Sequence, residues 1–240
     1  MTEIKDLLDL EHTIAKELFS GKTYPWEALA DIKDFILKLG PTLSSDEFDN
    51  PSEGVWIAKD AKIFPSVYLG APLIVDHGAE IRQCAFIRGS AIVGKNAVVG
   101  NSTELKNVVL FDNVQVPHYN YVGDSILGYK SHMGAGSITS NVKSDKSLVV
   151  IKEPGNPVET QRKKVGAILG DYVEVGCNSV LNPGTVIGRH TNIYPTSCVR
   201  GVIPENSIYK DKDNIVSKFP EVRGWTKNTA LSVKNLISSC

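Results

Sequence analysis

The sequence predicts an all-β solenoid, a parallel β-helix of hexapeptide repeats, with an N-terminal helical segment. Two observations lead to this fold class. An aliphatic residue recurs at every sixth position through the middle of the chain, and the first forty residues follow a helical spacing instead. A period of six belongs neither to a helix nor to an alternating strand. Self-similarity at a fixed short period is typical of stacked structural repeats.

The period of six runs in two blocks. The first block has nine aliphatic residues in register: Ile57, Ile63, Leu69, Val75, Ile81, Ile87, Val93, Val99 and Leu105. The second has six: Leu169, Val175, Leu181, Ile187, Ile193 and Val199. Four positions later most repeats carry a small or β-branched residue, as at Ala79 and Ala97. Stacked coils would bury the large residue and leave the small one at a crowded corner. Fifteen residues in register disfavour a chance spacing in a β-sandwich.

Residues 1–50 are predicted to form the N-terminal helical segment. Apolar residues follow helical spacing over 7–19 and again over 28–39, and Gly40-Pro41 provides a stop signal. We expect two helices there that seal or flank the solenoid.

Residues 51–205 are the predicted β-helix domain, and 206–240 a C-terminal tail that is partly helical from about residue 221. Residues 144–164 lack the period and contain two prolines, which predicts a loop extruded from one coil.

Between the two blocks the period slips. The register moves by one residue near Phe111–Val116 and again near Val122–Leu127, and it recovers at Leu127 and Met133. Irregularities of this kind re-aim side chains and often accompany functional sites in β structure. The slip therefore predicts a site between Phe111 and Met133.

Charge and hydropathy exclude some partners. The chain has 26 Lys and Arg against 27 Asp and Glu, a formal net charge of −1. That balance gives no electrostatic footprint for nucleic acid or for an anionic membrane. The N-terminus is acidic and amphipathic rather than basic and then apolar, so it does not resemble a secretory signal. These features predict a cytoplasmic protein.

One stretch of the chain carries a more specific pattern. Residues 101–141 contain H-x-x-Y-[VL]-G-D followed by G-A-G-x-I-T-x-N, and residues 169–188 read LGDYVEVGCNSVLNPGTVIG. Together they resemble the acetyltransferase domain of bacterial bifunctional N-acetylglucosamine-1-phosphate uridyltransferase/glucosamine-1-phosphate acetyltransferase, over roughly residues 80–205. The resemblance implies a left-handed coil and a homotrimer with sites at subunit interfaces. It also implies acetyl-CoA as co-substrate and an amino-sugar phosphate or sugar nucleotide as acceptor, with glucosamine 1-phosphate first, in UDP-N-acetylglucosamine synthesis.

The same resemblance implies roles for individual residues. His118 falls on the general base, and Ala135 and Cys177 fall on positions that contact coenzyme A through backbone atoms or a small side chain. The implied substrate-binding residues are Arg88, Lys106, Tyr121, His132, Asn141 and Lys164. His132 stands where the family has an asparagine, and with the long 144–164 loop this leaves the identity of the sugar open.

This set of residue types suits acetyl transfer to an amine. The attacking amine must be neutral, and histidine is the side chain that titrates near neutral pH. Glu104 is a candidate to orient His118. Backbone N–H groups near Gly134–Gly136 could stabilise a tetrahedral oxyanion. The basic substrate-binding residues would suit a phosphate.

Three other functions are alternatives for a chain of this kind. A nucleotidyltransferase needs a nucleotide-binding α/β domain, for which the fifty residues before the repeat are too few, and the Ser20-Gly21-Lys22-Thr23 stretch lacks the earlier glycine of a phosphate loop. A carbonic-anhydrase-like zinc enzyme needs converging histidines, whereas His118 and His132 are fourteen residues apart, so no metal is expected. A non-catalytic sugar-nucleotide-binding protein of the same fold stays open.

Overall fold

A computed structural model of the protein describes residues 2–219, and in it the chain winds into a parallel β-helix. Each coil places short strands on three faces, and each strand pairs in parallel with the strand one coil away. Val75 pairs with Val93, eighteen residues or three hexapeptides later. The predicted solenoid with an N-terminal helical segment is confirmed. The left hand of the coil stays an implication of the resemblance.

The three faces are named in chain order. Face 1 contains Val55–Ala58, Leu73–Val75, Ala91–Val93, the second half of Glu104–Leu110, the second half of Tyr121–Leu127, Ala167–Leu169, Thr185–Ile187 and Val202–Ile203. Face 2 contains Lys62–Ile63, Glu80–Ile81, Val98–Asn101, Gln115–His118, His132–Met133, Glu174–Val175, Asn192–Ile193 and Ser207–Asp211. Face 3 contains Tyr68–Leu69, Phe86–Ile87, the first halves of Glu104–Leu110 and Tyr121–Leu127, Ile138–Thr139, Val180–Leu181 and Cys198–Val199. Two antiparallel strands extend the ends, Phe48–Ser52 beside Val55–Ala58 and Asn214–Ser217 beside Ser207–Asp211.

The periodic aliphatic residues fill the interior of the coil. Those from Val75 onwards are almost completely buried, whereas the three of the first coil are partly buried. Each fully buried aliphatic side chain contributes about 1.5–3 kcal/mol relative to exposure. Several corners carry asparagine in the left-handed region, such as Asn96 and Asn178 with φ of 55° each. Asparagine tolerates that conformation because its short side chain bonds locally.

Face 1 is covered by protein. Ile74 and Ile92 follow the alternation that points them away from the interior, yet both are fully buried. Helix α2, Ile32–Leu39, contacts the face 1 strands around Ile92. In the first strand of face 1, the ring of Trp56 packs against Gly40, so closely that a Cβ on Gly40 would be 2.3 Å from the ring. The N-terminal segment therefore flanks the solenoid and does not seal its end.

The expected helix over residues 7–19 is wrong. The segment consists of helix α1, Ile4–Leu7, then 3₁₀ turns at Leu10–His12, Lys16–Phe19 and Pro25–Ala30, then α2, then a 3₁₀ turn at Gly40–Thr42. Its backbone bonds partly within these short turns and partly to the coils, where Leu7 O accepts from Asp171 N and His12 O accepts from Asp112 N. The apolar residues are buried as the spacing predicted, but in a strap along the coils. None of the helices described is long and apolar enough to cross a membrane.

The segment without the period leaves the coil after face 3 and returns to face 1. It forms a hairpin of Val150–Ile151 with Val158–Glu159, and Val142 bridges Lys164 at its base. Ile151 is fully buried and lies near Gly184. The hairpin thus covers face 1 near Gly184, in the C-terminal half of the solenoid.

The described part of the predicted C-terminal tail is strand rather than helix. Tyr209 is buried and pairs with Ile193, and so extends the interior column. The helix predicted from about residue 221 lies outside the described residues.

Two adjacent coils in the middle of the solenoid, which we call the shortened coils, are one residue shorter than the regular length of eighteen. The last coil, from Ile187 to Ile203, is two residues shorter and lies away from them. Val93, Leu110 and Leu127 stack at intervals of seventeen residues instead of eighteen. The residue is lost between face 3 and face 1, which we call the 3–1 corner, where Asn107 and Asp124 adopt φ of 54° and 48°. The first slip therefore lies at Asn107 rather than near Phe111–Val116. Shortening leaves no separate turn, so each of these two strands runs through the corner for seven residues.

Candidate active site

A buried carboxylate organises the 3–1 corner of the shortened coils. Asp124 is 2% exposed and accepts hydrogen bonds from Lys106 Nζ at 2.9 Å, Asn107 Nδ2 at 3.0 Å and Asn141 Nδ2 at 2.6 Å. The one-residue deletion in each coil stacks Lys106 on Gly123 in the next rung. A buried charge is tolerated only when it is paired and hydrogen-bonded, and here the corner supplies both.

Tyr121 lies beside this carboxylate on face 3. Asn141 Nδ2 donates to its hydroxyl at 3.3 Å. The hydroxyl occupies the space above Gly123, where a Cβ would be 2.5 Å from it. Burial, and then the charges of Asp124 and Glu104, raise the pKa of Tyr121. The phenol is therefore held protonated as a hydrogen-bond donor.

Arg88 lies one rung from Lys106 on the same column of face 3. Its Nη1 donates to Glu104 Oε1 at 2.9 Å, and this bond raises the pKa of the guanidinium. Glu104 therefore forms its ion pair with Arg88, and the expectation that Glu104 orients His118 is wrong. The pairing arises because strand neighbours on parallel rungs bring residues of adjacent coils together.

A cleft of 670 Å³ opens over the 3–1 corner. Three parts of the chain meet there: the N-terminal segment, the corner itself and the return of the hairpin to face 1. Its basic lining residues are Lys33, Arg88, Lys106, Arg162, Lys163 and Lys164. The carboxylate that lines it is Asp124. The volume falls in the range of small-molecule sites, and the lining predicts an anionic ligand.

His118 lies at the opposite end of face 3. We call this the 2–3 corner, where face 2 passes to face 3. Its side chain is exposed, and its carbonyl accepts from Gly136 N at 3.0 Å. Ala135 O accepts in turn from Asn178 N, and Cys177 O from Thr196 N. The predicted general base and the two predicted coenzyme A contacts therefore lie on successive rungs of one corner.

The backbone N–H groups at this corner are only partly committed. Gly134 N donates to Val175 O and Gly136 N to His118 O, so neither is available to an oxyanion. Within residues 2–219 the N–H groups of Ala135 and Cys177 make no hydrogen bond. Of the backbone N–H groups expected at Gly134–Gly136, only that of Ala135 is free, among the described residues, to bind an oxyanion. The N–H group of Cys177 lies one rung away and, among the same residues, is also free.

His132 is placed apart from the cleft. It lies on face 2, and its Nδ1 is 2.8 Å from Glu174 Oε2 on the next rung. The structure brings Arg88, Lys106, Tyr121 and Asn141 together, with Lys164 on the wall of the same cleft. Within the described residues no group of three or more metal-binding side chains converges.

Sequence reasoning missed several residues here, among them Asp124, Asn107, Lys33, Arg162 and Lys163. Asp124 is the last residue of the H-x-x-Y-[VL]-G-D motif, so its signal was present although it was given no role. Asn107 lies at the first slip, which was misplaced by a few residues. Lys33 and Arg162 come from segments without the repeat, and nothing in the sequence indicated that these segments meet at the corner.

The family model described as the GMPPB C-terminal domain matches residues 69–216. The bifunctional protein GlmU of Methanococcus maripaludis strain C5 is 33% identical over 195 residues, which is 80% of this chain and 47% of that protein. The bifunctional sugar-1-phosphate nucleotidylyltransferase/acetyltransferase of Sulfurisphaera tokodaii is 31% identical over 156 residues, 65% of this chain and 39% of that one. The chain thus spans less than half the length of these relatives.

Among solved structures, the acetyltransferase domain of PglB from Neisseria gonorrhoeae in complex with acetyl coenzyme A is one that matches this chain. It is 15% identical, with a TM-score of 0.27, and the match covers 67% of this chain and 56% of that one.

Proposed function

The chain belongs to the GMPPB C-terminal domain family and is a hexapeptide-repeat acyltransferase β-helix resembling the acetyltransferase region of GlmU, and from this premise we propose that it transfers acetyl from acetyl-CoA to an amino sugar that carries phosphate. Glucosamine 1-phosphate is the acceptor expected first. The product would serve the synthesis of UDP-N-acetylglucosamine.

One observation carries this proposal: a base and an anion cleft lie at the two ends of face 3. His118 is at the 2–3 corner, and Arg88 and Lys106 are where face 3 ends at the 3–1 corner. A strand rises about 3.3 Å per residue, so the few residues of the face separate the two ends by roughly 10 Å. A sugar lying along the face could present its amine to one end and its phosphate to the other.

The proposed reaction uses the residues in these positions. His118 takes a proton from the acceptor ammonium, and the free amine attacks the thioester carbonyl. A C–N bond forms, the C–S bond breaks, and the coenzyme A thiolate leaves with a proton. The N–H groups of Ala135 and Cys177 are available to the thioester oxygen as charge develops on it. Histidine suits this role because its neutral and charged forms interconvert near neutral pH.

The remaining predicted residues hold the acceptor. Arg88 and Lys106 each lie beside a carboxylate that fixes the position of the side chain, and Lys164 adds a third cation. Guanidinium and ammonium groups bind phosphate through charge-assisted hydrogen bonds. Tyr121 and Asn141 offer a hydroxyl and an amide to the sugar. His132 remains a proposed contact of lower support, because it pairs with Glu174 on another face.

The test is a turnover assay. Purified protein is mixed with acetyl-CoA and a panel of amino sugars with and without phosphate, and the appearance of free thiol is followed. We expect thiol release only with phosphorylated acceptors, and mass spectrometry should show the N-acetylated product. The predicted homotrimer is measured in the same preparation by light scattering. An intact trimer with no turnover on any phosphorylated amino sugar would overturn the proposal.

A second candidate function is non-catalytic binding of a sugar nucleotide. It is favoured by one observation: within residues 2–219 no side chain hydrogen-bonds the imidazole of His118, so nothing there orients a base. A binder should retain the same affinity for sugar nucleotide after His118→Ala and show no thiol release in the wild type. The trimer and a cytoplasmic location remain predictions under either function.

A further inference from the structure

The cations of the cleft fall into two groups. Arg88 and Lys106 each have a carboxylate partner, Glu104 and Asp124 respectively. The second group, which we call the unpaired group, contains Lys33, Arg162, Lys163 and Lys164. Within residues 2–219 none of these four makes an ion pair. Like charges gathered without counter-charge repel one another, and this arrangement predicts that an anion is bound there.

Arg162 gives an independent indication. Its Nε is buried and has no hydrogen-bond partner among the described residues. Its backbone is fixed, because its N donates to Thr160 Oγ1 at 3.2 Å and its carbonyl accepts from Val149 N at 2.8 Å. A buried donor left without an acceptor costs free energy. The guanidinium is therefore positioned on the cleft wall for an acceptor that the chain itself does not provide.

The unpaired group lies beyond the end of face 3. Going along the face, Tyr121 comes first and then the column of Arg88 and Lys106, about 7 Å further at two residues of strand. The unpaired group follows past the corner, on segments that do not belong to the coil. Lys33 lies on helix α2, directly after the 3₁₀ turn Pro25–Ala30. That turn is held to the corner by the bond from Asn107 Nδ2 to Leu29 O at 3.1 Å.

This order has a chemical consequence. A single phosphate on C1 of the sugar would meet Arg88 and Lys106, because those cations lie nearest to the sugar face. Even with Lys164 as a third contact, it would leave Lys33, Arg162 and Lys163 of the unpaired group without a partner. An acceptor with a second phosphoryl group in line would satisfy both groups, and arginine with lysine is a combination suited to several phosphate oxygens.

We propose that the unpaired group is a second phosphate subsite, and that the amino sugar bound here is linked to a diphosphate rather than to a single phosphate. The identity of the ligand as an acetyl acceptor rests on the proposed function, whereas the phosphate subsite rests on the cleft alone. The subsite also gives the N-terminal segment and the hairpin a role in selecting the substrate.

The subsite is tested first by binding, without turnover. Isothermal titration calorimetry compares inorganic phosphate with inorganic pyrophosphate, and glucosamine 1-phosphate with UDP-glucosamine. In the wild type we expect the diphosphate member of each pair to bind about tenfold tighter or more, as an added charged hydrogen bond provides. Lys33→Ala and Arg162→Ala should remove most of that preference, and Arg162→Lys should restore part of it. Lys38→Ala is the matched control, because Lys38 is exposed on the same helix and does not line the cleft.

Each contrary result has a distinct meaning. Equal affinities within each pair, or a preference that survives both alanine variants, would overturn the subsite. Weaker binding of coenzyme A in Arg162→Ala, with UDP-glucosamine binding unchanged, would assign the cations to the coenzyme's own diphosphate and also overturn it. Circular dichroism of each variant establishes that the fold is retained.

Kinetics separates this inference from the proposed function. If both hold, UDP-glucosamine should have a higher kcat/KM than glucosamine 1-phosphate, and Lys33→Ala should raise KM for UDP-glucosamine with kcat unchanged. No turnover with a retained diphosphate preference would reject the acetyltransferase and keep the subsite. Efficient turnover of glucosamine 1-phosphate with no preference for diphosphate would keep the enzyme and reject the subsite.

Discussion

The regular coils and the two shortened coils are built from the same repeat, but the regular coils form a packed scaffold and the shortened coils form a polar site. In the regular coils every corner has its own turn, and the interior is a column of aliphatic residues. In the shortened coils the Glu104–Leu110 and Tyr121–Leu127 strands run through the corner, and a buried aspartate with three donors is set there. Loss of one residue per coil is thus enough to turn a packed corner into a polar site, because it changes which side chains stack.

The two regions also differ in what their side chains leave free. Regular rungs place their periodic aliphatic side chains inside the stack. Around the shortened coils a basic cleft and an exposed histidine remain available. Groups left unsatisfied in a native structure need an explanation, and ligand binding is one. The following predictions test whether function and stability really divide between these two regions.

The largest expected effect is the loss of turnover in His118→Ala. Removing a general base costs roughly 10²–10⁴-fold in rate. The side chain is exposed, so the melting temperature should not change. The measurement is thiol release at saturating acetyl-CoA, together with thermal unfolding.

The matched control is His77→Ala at a regular corner. Its imidazole lies 3.0 Å from Asp60 and packs edge-on against Phe48. That variant should keep its turnover and melt slightly lower. If His118→Ala retains wild-type turnover, the division between scaffold and site fails.

The second prediction compares a glycine packed against backbone with a glycine of the candidate site, both in the shortened coils. Gly100→Ala would put a Cβ 1.6 Å from the carbonyl oxygen of Pro117, which is backbone and cannot yield. We expect it to destabilise the fold by about 3 kcal/mol or more, as overpacking does. Gly123→Ala meets no backbone within these distances, but it meets the phenol of Tyr121, with its hydroxyl at 2.5 Å and its ring carbon Cζ at 2.7 Å, and this side chain can move. It should cost little stability but raise KM for the acceptor severalfold.

Thermal unfolding and acceptor kinetics on both variants give the comparison. Tyr121→Phe is a further control for Gly123→Ala, since both should disturb the bond to Asn141. A Gly123→Ala protein with normal KM for the acceptor would show that the position of Tyr121 does not matter for binding.

The sequence determined the scaffold far better than the site. A period of six specifies which residues face inward, and nearly every periodic residue is buried where predicted. The N-terminal helical spacing also identified buried residues, but the backbone there bonds partly in short turns and partly to the coils, so the expected first helix did not form. Hydrophobic spacing reports which side is buried and not what the backbone bonds to.

The site depended on a resemblance and on contacts between distant segments. The slip indicated an irregularity in roughly the right place, yet the role of Asp124 became evident only when Lys106, Asn107 and Asn141 were seen to converge on it. Lys33 and Arg162 reach the cleft from outside the repeat. Such convergence is fixed by how the segments pack on face 1, which a one-dimensional pattern does not carry.

The third prediction concerns the buried carboxylate of the site. Asp124→Asn keeps the shape but leaves the ammonium of Lys106 without its counter-charge. Breaking a buried pair costs about 3–5 kcal/mol, and since Lys106 is partly exposed we expect about 2 kcal/mol. At this chain length that lowers the melting temperature by roughly 5 °C. Scanning calorimetry measures it, and Asp145→Asn on the hairpin segment, whose ion pair with Lys143 is exposed, should show almost no change.

The smallest effect should come from a buried carboxylate in a regular coil. Asp76 is fully buried, and its Oδ2 has no partner in residues 2–219, although its Oδ1 accepts from His77 N. Burial raises the pKa of Asp76, which the nearby charge of Lys95 only partly opposes. A raised pKa means that the folded state holds the proton more firmly than the unfolded chain. The stabilising contribution is therefore present below the ordinary pKa, about 3.9, and is lost as pH rises through the folded value.

The asparagine of Asp76→Asn does not ionise, so the variant does not lose stability as pH rises. It should therefore melt higher than the wild type at about pH 7, by roughly 1–3 °C. The difference should shrink as pH falls towards about 4, where the wild-type carboxyl becomes protonated in the folded state. Differential scanning fluorimetry across that pH range measures both. The opposite sign at neutral pH would mean that Asp76 is stabilised by its charge. The regular coils would then also contain a working buried carboxylate, and the distinction from the shortened coils would rest on the cleft alone.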